Sequence, residues 1–118
     1  MTGRAERDRL RVAAMIEAAG EAKLDSSEGR SAFLERGKTQ KSVLLDLIHF
    51  TESAEKTSPG FKHDNPGIPW DRLSRLRNRG LVHDYAEVDL EDVWAFVSVE
   101  LPKIRDRLDR VKFPVEKD

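Results

Sequence analysis

The densest gathering of reactive side-chain types in this chain is RNRGLVHDY, residues 77–85, in which Arg77, Asn78 and Arg79 precede His83, Asp84 and Tyr85. Imidazole titrates near neutral pH and moves protons in either direction, while a guanidinium stays charged and presents a planar fork of donors to phosphate oxygens. These are the parts needed to cleave a phosphodiester without a metal: proton transfer at the attacking or leaving oxygen, and charge stabilisation at phosphorus. As a bare spacing the pattern is weakly selective. The same residues also suit a helix C-terminus, where His and Arg stabilise the dipole.

The other two histidines read as structural. His49 falls within an apolar helix between Ile48 and Phe50, and His63 lies in a Pro/Gly-rich segment beside Asp64. No histidine pair has the H-x3-H spacing of a metal site, and the absence of cysteine removes thiol nucleophiles, zinc-thiolate sites and disulfides. The expected chemistry therefore uses no metal and no cofactor, in a reducing, cytoplasmic setting. The charged N-terminus MTGRAERDRLR is no signal peptide, and apolar runs such as VLLDLI are too short to span a bilayer, so no membrane role is expected.

Charged residues make up 36% of the chain but nearly cancel, at a net charge of −1, so affinity for nucleic acid has to come from a local site. Such a site exists between Trp70 and Val82, where Arg72, Arg75, Arg77 and Arg79 face a single acid, Asp71. The bland alternative is a solvated helix face.

The elements that would position these groups are helical. A length of 118 residues fits one domain, 1–118, able to bury its own core. Leu10, Ala14, Ala18 and Ala22 suggest a first helix over about Arg4 to Leu24, with a thin alanine stripe. Ser31 to Leu34 reads as a short helical turn. Val43, Leu44, Leu47, Ile48, Thr51 and Ala54 follow i, i+3, i+4, i+7 and predict a core helix from about Thr39 to Lys56. The run SPGFKHDNPGIP packs three prolines and two glycines into twelve residues and predicts an irregular surface loop. Trp70, Leu73 and Leu76 supply the stripe of a helix opened by Pro69 and interrupted at Gly80. Asp89 is a good N-cap for a long final helix to about Lys112, kinked at Pro102 and ended by Pro114. No segment alternates as a strand would. The fold class is all-α, an antiparallel bundle of about four to five helices.

Beyond these patterns, IPWDRLSRLRNRGLVHDY, followed by VDLEDVW and ELPKIRDRL, resembles the HepT-like toxins of the HEPN superfamily. KTQKSVLLDLIHFTESAEK resembles the family's preceding helix, with Glu52 at its usual glutamate, and only about the first thirty residues are indistinct. The resemblance implies an HEPN-like bundle that pairs into homodimers and an endoribonuclease acting on RNA at the dimer cleft. It further implies a type VII toxin-antitoxin system whose MntA-like nucleotidyltransferase antitoxin is the cognate partner. Carried onto this chain, Arg77 and His83 are the motif's catalytic pair and Asn78 the polar residue after the arginine. Tyr85 is the motif tyrosine, to which an antitoxin of this type transfers AMP. Arg79, Asp84 and Glu52 support the site.

One departure stands out. Five residues separate Arg77 from His83 where the family has four, and Gly80 reads as the extra one. Residues five or six apart lie about 140° and 120° apart on an α-helix, so neither spacing puts both on one face. An inserted residue is commonly absorbed as a π-bulge, which Gly80 would tolerate. The alternative is that Arg79, four before His83, has taken the catalytic role. For Tyr85 the alternative is a ring packed near Val88. The runner-up function is a non-catalytic helical dimer that binds nucleotide or docks a nucleotidyltransferase partner.

Overall fold

The structure, a computed structural model, describes residues 3–81 and 88–113. Helix α1 (Arg4–Asp25) lies antiparallel against α3 (Gly37–Glu55), and this pair makes the most extensive helix contact of the fold. Helix α3 buries Val43, Leu44, Leu47, Phe50, Thr51 and Ala54, the face that its periodicity predicts apart from Ile48, which is half-buried. Thr51 sits among these apolar side chains because its hydroxyl donates to the Leu47 carbonyl at 2.8 Å.

Helix α1 is correctly bounded but turned. Its core face is Ala5, Asp8, Val12, Met15, Ala18, Ala19 and Ala22, and Leu10, which leads the expected stripe, is 57% exposed. Val12 and Met15 carry more apolar surface than Ala14, so burying them stabilises the helix more than burying the alanine-led stripe would. Between the two long helices, α2 (Arg30–Glu35) starts after Gly29, whose φ of 101° lies in the left-handed region that glycine occupies without strain. It inserts Phe33, 1% exposed, against Trp94, with ring centroids 5.7 Å apart.

The segment expected to be an irregular loop contains a helix, α4 (Pro59–Asp64). Pro59 sits at the first helical position, where its missing N–H costs nothing, and the Ser58 hydroxyl caps the turn by accepting from the Phe61 amide. Phe61 is buried, stacked on Phe113 and edge-on to Trp70. Asp8, 4% exposed, reaches from α1 and accepts both the Ser58 N–H at 2.8 Å and its O–H at 2.6 Å. One carboxylate thereby fixes the start of α4 to the first helix.

Helix α5 (Trp70–Arg75) runs directly into a π-helical turn, Leu76–Leu81. Asp89 caps α6 (Leu90–Ala95) by accepting from the amides of Glu91 and Asp92. A second π turn, Phe96–Glu100, leads into α7 (Leu101–Asp109), so the anticipated disturbance at Pro102 takes the form of a widened turn just before the proline. Val93, Phe96, Val97, Leu101, Ile104 and Leu108 close the core from this arm. Among the described residues there is no strand, and no helix is long and apolar enough to cross a membrane.

Replacing Asp8 by alanine should destabilise the fold by about 1–2 kcal/mol in urea unfolding, because the part-buried Ser58 N–H is left without its acceptor. Asp8→Asn, which keeps one acceptor oxygen, should lose less.

Candidate active site

The arginine-rich segment is positioned by α5 and its π turn, and both pack against α3. Leu73 anchors α5 in the core, fully buried. The latch on the other side is Arg72, whose guanidinium lies 5.8 Å from the Phe96 ring centroid and pairs with Glu100 at 2.5 Å. Arg72 therefore grips both ends of the second π turn, and fixes the segment carrying Arg77 relative to the α6–α7 arm.

Arg77 lies within the first π turn and is half-buried. Its Nη1 donates to Asn78 Oδ1 at 3.4 Å, and Asn78 Nδ2 donates to the Ser74 hydroxyl at 3.4 Å, so the three side chains form a short row along the turn. The Nε of Arg77 is buried without a hydrogen-bond partner among the described residues. Across from it, α3 presents Glu52, whose carboxyl lies below the usual carboxylate range. Lys56, hydrogen-bonded to it at 2.9 Å, is the largest cause, and the charges of Arg77 and His49 add to it. The arrangement is a permanently charged guanidinium within electrostatic reach of an ionised acid.

The residues singled out in sequence are thus distributed unevenly. Arg77 and Asn78 are together on the π turn, Glu52 is near Arg77, and the backbone of Arg79 belongs to the same turn. His83, Asp84 and Tyr85 lie outside the described residues. His49 was passed over as a residue inside the core helix, yet it is exposed and shares the outer face of α3 with Glu52 and Lys56. Its spacing to those two residues, i+3 and i+7, was the available signal.

Next to this cluster, α1 and α3 enclose an open groove of about 370 Å³ lined by residues that include Arg11, Glu17, Glu21, Asp46, His49 and Lys56. Burial pushes the Asp46 carboxyl up to about 8, helped by its contact with Asp25 and by the charge of Glu21.

A family model described as Ribonuclease HepT-like matches residues 4–111, nearly the whole described chain. This chain belongs to the HepT-like ribonuclease family. It is 30% identical over 80 residues to a Thermococcus cleftensis protein named "Probable ribonuclease HepT", covering 68% of this chain and 72% of the relative. It is 29% identical over 84 residues to MJ0127 of Methanocaldococcus jannaschii, an RNase by name, covering 71% of this chain and 69% of that one. No solved structure matches the chain significantly. The family places this HepT-like chain in the ribonuclease class, with an all-α fold, as its motif and helices imply.

Since Arg72 connects the motif segment to the second π turn, Arg72→Ala should lower stability by about 1 kcal/mol. Its ion pair is half-exposed, so a double-mutant cycle with Glu100→Ala should return a coupling no greater than about 1 kcal/mol, the remainder being the contact with Phe96.

Proposed function

We propose that this HepT-like chain, acting as one helical domain in the cytoplasm, is the toxin of a type VII toxin-antitoxin pair. In this reading it is an endoribonuclease that cleaves RNA without a divalent metal. The observation that carries the reading is Arg77: half-buried on a widened turn, within electrostatic reach of Glu52, with an Nε that has no hydrogen-bond partner among the described residues. In the reaction, the ribose 2′-OH loses its proton to a base and attacks the adjacent phosphorus. The bond to the 5′-oxygen then breaks as that oxygen gains a proton, leaving a 2′,3′-cyclic phosphate and a free 5′-OH. His83 performs the proton transfers, and Arg77 holds the charge growing on the phosphorane oxygens. Asn78, Arg79, Asp84 and Glu52 support the pair. The active unit is a homodimer with a shared cleft, and the neutralising partner is an MntA-like nucleotidyltransferase.

Tyr85, two residues after His83, is the acceptor through which that partner silences the toxin. Adding AMP places a bulky, negatively charged phosphodiester beside Arg77 and His83, opposing RNA entry by volume and by charge. A non-catalytic helical dimer is the second reading, favoured by the near-neutral net charge of −1.

Cleavage of total RNA in excess EDTA, compared across His83→Ala, Arg77→Ala and Arg79→Ala with each fold checked by circular dichroism, separates these readings. The first two should each lose on the order of a hundredfold or more in rate. Full activity in folded His83→Ala removes the mechanism, and loss with Arg79→Ala alone moves the catalytic arginine by two residues. For the modification, intact-mass measurement after co-expression with the antitoxin should show added AMP on the natural chain and none on Tyr85→Phe.

A further inference from the structure

Two protons move in the proposed reaction, and the motif supplies one imidazole to move them. In an in-line displacement the attacking 2′-oxygen and the leaving 5′-oxygen stand on opposite sides of phosphorus, so one ring cannot be hydrogen-bonded to both. Nor can one ring be neutral for the first transfer and protonated for the second in the same transition state. A second proton carrier near Arg77 lets the two transfers coincide.

Of the two histidines among the described residues, His63 lies on α4 and faces Asp64 at 3.5 Å. His49 lies on α3, the helix against which the π turn carrying Arg77 packs. It is exposed, and its ring makes no hydrogen bond among the described residues. Glu52 and Lys56 follow it at i+3 and i+7, on the same side of α3, and all three line the groove. Glu52 joins His49 to the motif, because the charges of His49 and of Arg77 both reach its carboxylate.

Charged groups stand around His49 on three elements. Asp46, Glu52 and Lys56 share α3 with it, Arg11, Glu17 and Glu21 line the groove from α1, and Arg77 comes from the π turn. Asp46 and Glu52 each lie one turn away. The carboxyl of Asp46 is pushed up to about 8, whereas that of Glu52 is held below the usual range, so Glu52 is the ionised neighbour at neutral pH. A protonated His49 therefore faces a negative charge that has no need of its proton.

We infer that His49 is the second proton-transfer group of the site, the acid that protonates the leaving 5′-oxygen, with His83 as the base. The bond from the 2′-oxygen to phosphorus forms as the hydroxyl proton passes to His83. The bond from phosphorus to the 5′-oxygen breaks as the proton of His49 passes to that oxygen, while Arg77 holds the charge on the remaining oxygens. The two rings end with their protonation states exchanged, and exchange with water restores them. This role rests on the proposed ribonuclease reaction and divides its two proton transfers between two residues.

A single-stranded RNA carrying sulfur in place of the 5′-oxygen, at the linkage that the natural chain cuts, separates an acid from a binding or structural residue. A thiol ionises near about 8.5 and an alcohol far higher, so the sulfur leaves without a proton and needs no acid. In excess EDTA, His49→Ala and His49→Gln, each with its fold checked by circular dichroism, should lose about a hundredfold or more in kcat on the ordinary linkage, with KM little changed. On the sulfur linkage both should come within a few fold of the natural chain, while His83→Ala stays slow on both. For the natural chain, kcat on the ordinary linkage should fall as pH rises through the imidazole range, because the acid must be protonated to donate, and this limb should be missing with sulfur. Full activity in folded His49→Ala, or an equal loss on the two linkages, overturns the inference and leaves the rest of the reaction standing. A natural chain that cuts no RNA removes the reaction itself, and the role of His49 with it.

Discussion

Helix α3 is apolar around more of its circumference than one neighbour can cover, and this constraint organises the fold. Leu44, Leu47, Phe50 and Ala54 leave water only if several elements converge on one helix. α1 covers it along its length, α2 at its start, and α5 with its π turn on another flank. The covering pieces are short, so each needs its own fastening: Asp8 to Ser58, Trp70 Nε1 to the Asn65 carbonyl at 2.9 Å, Arg72 to Glu100. Apolar burial supplies the driving force, and these directional contacts decide where each piece stops.

What could be read from sequence follows the same division. The α3 stripe and the Asp89 cap were legible because their signals are local and dense. The α1 face was not, since alanine stripes at several phases bury similar small areas and only the neighbour decides which one is used. The Ser58-Pro59 start of α4 was hidden by the weight of three prolines and two glycines, although Ser-Pro is itself a helix-opening pair. His49 illustrates a different limit: flanking apolar residues suggested burial, but residues adjacent in a helix point about 100° apart.

The motif shows both sides of this. Its residue types and the extra residue were visible, and the turn containing Gly80 is π-helical, as an inserted residue would demand. That Arg77 would be half-buried beside Glu52 depends on how α5 packs against α3, which no local pattern encodes. Electrostatics here is local in the same sense. A net charge of −1 says little about a segment with four arginines, one held by Glu100 and another by its neighbours on a single turn.

The first π turn also acts as a phase shifter. Upstream of it, Leu73 points into the core; within it, the wider turn rotates each residue less than an α turn would, and Arg77 faces α3. A length change elsewhere in a helix would rotate everything that follows and dislodge the buried stripe. Here the change is spent inside one turn, after the last fully buried anchor of α5. A one-residue change of length inside this turn therefore leaves the buried face of α5 where it is, so the turn separates the packing of the core from the spacing of the motif.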